Sequence, residues 1–355
     1  MHVQTWYRSP WTPGLVGLVM LLPVARSDGP PQKPSDSIPR SGPNANPVAP
    51  QPDRDQEIKE LRRLVEAQKA ELERQSKRLD GVIEYLTHAP GAESQTDYAQ
   101  ARAGFKTKLL RKGPAPTRWE PVKPPKGVTE VEYPSGKLRL KAWVNPSADE
   151  SEKRPAVLFL HGGFSFEMSD WDSTQPYRDA GFVVLTPMLR GENGQPGNFT
   201  FRYDEIDDVL AAAEYLSKLP YVDRDHIFVA GASAGADLAL LAAMASNRFR
   251  AVASCSSVID GANSLYRQKG SLFDASDHRE VLLRWPMAFV TSFKCPVRIY
   301  YGTEEPRLQL PSLHAAVVAQ RHGLDVKAVE VEGDHGTAIP RAIKRSVAFF
   351  DKYLP

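Results

Sequence analysis

From residue 128 to the C-terminus, short runs of Val, Ile, Leu and Phe alternate with longer amphipathic stretches. No other property of the chain narrows its fold as much. Residues 128–133 and 138–144 flank Pro-Ser-Gly-Lys, which predicts a hairpin. Strands are then expected over 156–163, 182–188, 226–230, 250–257, 296–302 and 325–333. Helices are expected around 171–180, over 203–219, after the 226–230 strand, over 310–323 and on through about 353. Short apolar strands separated by helices require a mostly parallel sheet, because parallel neighbours need a crossover and the crossover helices cover both faces. The expected fold is therefore α/β, a mostly parallel sheet with helices on both faces, in one domain over residues 126–355. Residues 260–293 break the rhythm and read as a small cap insertion.

One junction in this pattern carries chemistry. Ile-Phe-Val-Ala (227–230) is strand-like, Asp-Leu-Ala-Leu-Leu-Ala-Ala-Met (237–244) is helix-like, and between them stands Gly231-Ala232-Ser233-Ala234-Gly235. A serine on so tight a strand-to-helix turn has the form of a nucleophile elbow, and a β-carbon at either flanking glycine would collide with the neighbouring element. A serine hydroxyl is a weak nucleophile at neutral pH, so it needs a base, a group to orient the base, and donors for the oxyanion that forms. His335, in Gly-Asp-His-Gly directly after the last predicted strand, is the candidate base, since imidazole exchanges protons near neutral pH. The orienting acid is sought one strand earlier, in Gly302-Thr303-Glu304-Glu305-Pro306. The G-x-x-acid spacing favours Glu305, with Glu304 as the alternative. Asp334 is a poor orienter because it precedes the histidine in the same tight loop. The oxyanion donors are expected from the backbone: Ala234 at the start of the elbow helix, and the turn His161-Gly162-Gly163-Phe164, with Gly163 and Phe164 as candidates. Nucleophile, acid and base then follow one another along the chain in the α/β-hydrolase order.

With these pieces in place, residues 128–355 resemble the prolyl oligopeptidase-like and dienelactone hydrolase-like α/β-hydrolases. The matching stretches are FLHGGF (159–164), LRGENG (189–194), YDEIDDVLAAAEYL (203–216), VDRDHIFVAGASAG (222–235), YYGTEEP (300–306) and EGDHG (332–336). The resemblance implies Ser233 as nucleophile, His335 as base and an acid at Glu305. It also marks departures: the family usually has Asp where Glu305 stands, and Ala236-Asp237 follows the elbow where a second glycine is common. A carboxylate at Asp237 would disfavour a deprotonated serine if it pointed inward. Hydrolysis of carboxylic esters is the first reading, cleavage of short peptides the second, and binding without turnover the third. No cofactor is expected. Arg190 with Asp207 and Asp208 reads as a structural brace, and Phe164, Trp171, Tyr266, Phe273 and Trp285 as pocket or core residues.

The first 125 residues lie outside the resemblance. Residues 14–22 (GLVGLVMLL) form an apolar run after Arg8, too short to span a bilayer, and with Ala25-Arg26-Ser27 they read as an export signal over residues 1–27. Residues 28–52 are a Pro-rich linker. Over 53–87, Ile58, Val65, Leu72, Leu79 and Leu86 share one heptad position, and Leu61, Gln68, Gln75 and Val82 the other, which suits a short coiled coil that would form a homo-oligomer or hold the protein away from a surface, with a single amphipathic helix on the main domain as the alternative. Residues 88–125 form a connector containing a helix over 96–110. A net charge of +2 without a basic, aromatic-laced stripe argues against nucleic acid. Cys255 and Cys295 are the only cysteines and the eight histidines show no metal-binding spacing, so no metal site is expected.

Overall fold

The computed structural model describes residues 54–88, 96–146, 151–260 and 272–355. The expected export signal, the Pro-rich linker, Tyr266 and part of the cap insertion lie outside these residues. The chain divides into two units, Met1–Ala67 and Gln68–Pro355. In the first, the described residues are helical and begin α1 (Arg54–His88), with Ile58, Leu61, Leu64 and Val65 exposed. The helix continues into the second unit, where Leu72 and Leu79 are exposed as well.

In the second unit an eight-stranded sheet runs in the order β1-β2-β4-β3-β5-β6-β7-β8. β1 (Thr129–Ser135) and β2 (Leu138–Val144) form an antiparallel hairpin, closed by Gly136 at a φ of +57°. β2 joins β4 (Val183–Pro187) antiparallel. From there β3 (Arg154–Leu160), β5 (Val222–Ala232), β6 (Val252–Cys255), β7 (Val297–Gly302) and β8 (Val326–Val331) are all parallel.

The central strands are apolar without a break because side chains alternate between two buried faces. Leu158, Leu160, Val229 and Ile299 face the core shared with α5 (Glu205–Leu216), α6 (Ala234–Ala245) and α8 (Pro306–Arg321). Their neighbours Val157, Phe159, Phe228 and Ala253 face the opposite core, covered by the short helices α3 (Met168–Ser173) and α4 (Gln175–Asp179) and by α9 (His335–Phe350). There Phe350 stacks on Phe228 with ring centroids 4.6 Å apart. Truncating either ring to alanine would cost about 3–5 kcal/mol.

Two local expectations need correction. The helix expected over 96–110 is only α2 (Tyr98–Ala103); Asp97 caps its start and Gly104 ends it. Its lasting contact is tertiary: Tyr98 is fully buried, and its hydroxyl donates to the Leu283 carbonyl. The helix expected around 171–180 is broken at Thr174, whose hydroxyl donates to the Trp171 carbonyl. Within residues 272–293, α7 (His278–Leu282) and a 3-10 stretch (Pro286–Ser292) bury Trp285, Met287 and Phe289 in the same core as the sheet. Cys255 and Cys295 are both free thiols; burial pushes Cys295 up to about 12.

Candidate active site

Ser233 sits between the end of β5 and the first turn of α6, with φ at +51° and ψ at −114°. Both flanking glycines are needed to make that turn. A β-carbon on Gly231 would lie 2.2 Å from the Gly235 carbonyl oxygen, and one on Gly235 would lie 2.3 Å from the Leu160 oxygen and 2.4 Å from the His161 oxygen. The serine is fixed from below, its N–H donating to the Cys255 carbonyl at 2.8 Å.

His335 and Glu305 come from the two strands at the far edge of the sheet, and their loops are tied to each other. Thr303 N–H donates to the Val331 carbonyl, Glu304 N–H to the Gly333 carbonyl, and Gly333 N–H to the Thr303 hydroxyl. Gly302 packs so tightly on this seam that a β-carbon there would come within 2.3 Å of the Gly333 oxygen. Glu305 is buried at the entry to α8, whereas Glu304 is exposed. One Glu305 oxygen, Oε1, lies 2.6 Å from His335 Nδ1. The other, Oε2, accepts from Gly302 N–H at 2.8 Å and from the Ser256 hydroxyl at 2.7 Å. His335 Nε2 in turn lies 3.0 Å from Ser233 Oγ. Carboxylate, imidazole and hydroxyl thus form one hydrogen-bonded chain, and the extra methylene of Glu305 is absorbed without losing the contact. Asp334 is turned elsewhere: it caps α9, accepting from the Thr337 N–H and hydroxyl, and these bonds hold its carboxyl below its usual range.

The turn expected to supply oxyanion donors packs against the elbow. A β-carbon on Gly162 would touch Ser233 Cβ and the Ala232 oxygen at 3.7 Å, and Gly163 has a φ of +64°. Gly163, Phe164 and Ala234 line one recess. The Ala234 N–H opens α6, so it has no carbonyl of its own helix to pair with. Beneath the turn, His161 faces acceptors with both ring nitrogens: Nδ1 is 3.0 Å from the Gly162 oxygen and Nε2 is 3.1 Å from Glu192 Oε2. Burial alone would push the imidazole down, but the Glu192 carboxylate outweighs it and lifts it to about 9. The ring is therefore an imidazolium at neutral pH, bracing the turn from below.

Asp237 does not threaten the serine. It is fully buried, its Oδ1 accepts from the Ser257 hydroxyl, and its Oδ2 lies 2.8 Å from Arg202 Nη2. Burial raises its carboxyl and Arg202 opposes that rise. Arg190 braces its loop as expected: Nε and Nη2 donate to the two oxygens of Asp208 at 2.8 and 2.7 Å, while Asp207 pairs with Arg102. Trp171, Phe273 and Trp285 are core residues, and Phe164 is the one described aromatic of that group to line the recess. Sequence reasoning missed Ser256, Arg202 and the His161–Glu192 pair. The LRGENG stretch held the only signal, a lone glutamate two residues after Arg190.

Known proteins share the family and the fold. The prolyl oligopeptidase family is matched over residues 168–354. A probable dipeptidyl-peptidase 5 of Aspergillus clavatus is 33% identical over 127 residues, covering 31% of this chain and 17% of its own length. The Escherichia coli protein YcjY is 29% identical over 143 residues, covering 39% of this chain and 46% of its own length. The chain thus spans less than half the length of these curated relatives. Among solved structures, the acylaminoacyl peptidase of Pyrococcus horikoshii superposes with a TM-score of 0.54 at 23% identity, over 64% of this chain and 42% of that one. Est1E of Butyrivibrio proteoclasticus, solved with ferulic acid bound, superposes with a TM-score of 0.51 at 20% identity, over 62% of this chain and 99% of that one. Both are likenesses of fold.

Proposed function

This chain belongs to the prolyl oligopeptidase family of serine hydrolases, and from that premise we propose that it cleaves carboxylic esters through Ser233, His335 and Glu305. The observation that carries the reading is the continuous hydrogen-bonded chain from Glu305 through His335 to Ser233. In the proposed reaction Ser233 Oγ attacks the acyl carbon while its proton passes to His335 Nε2. The carbonyl oxygen becomes an oxyanion held by the N–H of Ala234 and those of the Gly163–Phe164 turn. His335 then returns the proton to the departing alkoxide, leaving an acyl-serine. Water, deprotonated by the same imidazole, releases the acid and restores the serine. Glu305 keeps Nδ1 protonated and steadies the imidazolium between the two transfers.

The relatives named dipeptidyl-peptidases favour a second reading, cleavage of short peptides. Holding a free amino terminus takes an uncommitted carboxylate near the serine. The two glutamates lining the recess are both engaged: Glu192 by His161, and Glu205 by Thr200 and by the Tyr203 N–H. Among the described residues of the recess, this supports the ester reading. The test is a fluorophosphonate probe with mass-spectrometric location of the adduct, followed by ester and peptide panels. Labelling at Ser233 that disappears in His335→Ala supports the triad. Folded, unlabelled protein refutes it, and faster turnover of peptides than of esters transfers the assignment to the second reading.

We also infer that α1 pairs with a second copy of the chain. Its described seam has Ile58, Val65, Leu72 and Leu79 at one heptad position and Leu61, Gln68 and Gln75 at the other. In any antiparallel pair the two seam positions face each other, which sets each glutamine against an aliphatic side chain. A parallel, in-register pair sets glutamine against glutamine, where the amides satisfy each other, and brings Glu57 opposite Arg62 of the second copy.

A further inference from the structure

A narrow recess opens beside Ala234, the residue after the nucleophile. Phe164, Phe199, Leu189 and Leu238 give it apolar walls. Arg202 lines it too, with a side chain only 8% exposed. Arg202 reaches this place through unusual backbone: it and Phe201 have φ values of +71° and +57°, a conformation that costs non-glycine residues energy and persists where the surroundings impose it. Its guanidinium lies over the Phe201 ring at 4.8 Å, and Nη2 lies 2.8 Å from Asp237 Oδ2, an ion pair without hydrogen-bond geometry. Nε and Nη1 are buried, and no acceptor meets them among the described residues. Together these two nitrogens carry three N–H donors. A buried donor without a partner is expensive, and such exceptions in a folded protein call for an acceptor supplied from elsewhere.

We propose that Arg202 is a specificity residue which donates a hydrogen bond to an uncharged oxygen, carbonyl, ether or hydroxyl, on the substrate group occupying this recess. The charge arrangement selects the kind of oxygen. Asp237 already balances the guanidinium, and Glu205 and Glu192 line the same recess, so a substrate carboxylate would add an unmatched buried charge. A neutral oxygen brings an acceptor without one. The walls of Phe164, Phe199 and Leu238 accommodate the carbon atoms on either side of it. An all-carbon group of the same shape fills the recess but leaves the donors unpaired, and a site built around a hydrogen bond discriminates strongly against an analogue that lacks the partner atom. The inference rests on Ser233 being the nucleophile, since that is what brings a substrate to the recess.

The test compares two p-nitrophenyl esters of matched length, butyrate and methoxyacetate, which differ by an ether oxygen in place of a methylene. Methoxyacetate is intrinsically more reactive, so the quantity read is its kcat/KM divided by that of butyrate, in the full-length wild type and in Arg202→Met. Intrinsic reactivity cancels between the two proteins. The expected result is a fall in this ratio of about tenfold or more, the size of a hydrogen bond from a charged donor. Arg202→Lys keeps a cation beside Asp237 and should lose the preference too, so it serves where Arg202→Met does not fold. Equal loss on both esters overturns the proposal and makes Arg202 a structural partner of Asp237. If wild-type Ser233 is labelled by fluorophosphonate and the ratio does not move, this inference alone fails. If Ser233 is not labelled and neither ester is cleaved, the proposed function fails and takes this inference with it.

Discussion

Replacing Glu305 with glutamine changes one atom and should disable the site through hydrogen-bond polarity alone. In the wild type, Oε2 accepts from the Gly302 N–H and the Ser256 hydroxyl, while Oε1 faces His335 Nδ1. The Gly302 N–H is a donor and cannot reverse, so the amide oxygen of the glutamine must take the Oε2 position. Its NH2 group then points at Nδ1, which has to become an acceptor. The imidazole is forced into the tautomer with its proton on Nε2, the nitrogen 3.0 Å from Ser233 Oγ, and it can no longer accept the serine's proton. In serine proteases the corresponding acid-to-amide change lowers kcat about 10⁴-fold, or roughly 5 kcal/mol at 1.36 kcal/mol per decade. We expect Glu305→Gln to lose about 10³–10⁴-fold in kcat/KM on p-nitrophenyl acetate near pH 7. Its melting temperature should stay close to wild type, because the buried donors keep their acceptor. Ser256→Ala, which removes one of the two donors and leaves Gly302, should lose only about tenfold. A Glu305→Gln variant within tenfold of wild type, folded and labelled at Ser233, would refute the reasoning.

Three further outcomes follow from the geometry. Gly235→Ala would push a β-carbon to within 2.3 Å of the Leu160 oxygen; it should cost about 1–3 kcal/mol of stability and about a hundredfold in labelling rate through displacement of Ser233, and a variant matching wild type in both would sink the steric account of the elbow. The His161 imidazolium, lifted from 6.5 to about 9, contributes stability that is whole below about pH 6.5 and is lost as pH rises through about 9; this ~3 kcal/mol should be visible as a fall in melting temperature between pH 6.5 and 10 that Glu192→Gln flattens, and equal slopes in both proteins would exclude the pair as its source. Gln68→Cys should form an intermolecular disulfide under mild oxidation if α1 pairs parallel and in register, since position 68 then faces its own copy; a monomer by light scattering, or cross-linking no faster than at an exposed position such as Glu66, would dismiss the pairing.

What the sequence made legible was whatever is encoded at strand ends. Gly231, Ser233, Gly235, Glu305 and His335 each follow or close a strand, and alternation of strand and helix is enough to bring such positions to one edge of a parallel sheet. Glu305 was separable from Glu304 by spacing, and the structure places the first in the interior and the second in solvent. What stayed hidden depends on which strands are neighbours. Ser256 reaches Glu305 because β6 lies beside β7, and its φ of +56° turns the hydroxyl toward the acid; nothing in Ser-Cys-Ser-Ser announces either fact. Arg202 meets Asp237 across 34 intervening positions of chain, through backbone that no local propensity favours. α2 ended early for the opposite reason: its helical pattern was real, but Gly104 stopped it and the residues beyond serve contacts with the domain, such as Thr107 with Glu280.

The hydrogen-bonded seam between the Gly302–Glu305 and Gly333–His335 loops has a consequence for how the protein fails. The serine belongs to a strand in the interior of the sheet, but both of its helpers hang from β7 and from β8, which has a neighbour on one side only. Peeling β8 away would carry off His335 and release the Glu305 loop while the elbow and the central strands kept their shape. Loss of turnover on warming should therefore precede loss of the fold, making hydrolysis the most sensitive gauge of that one edge.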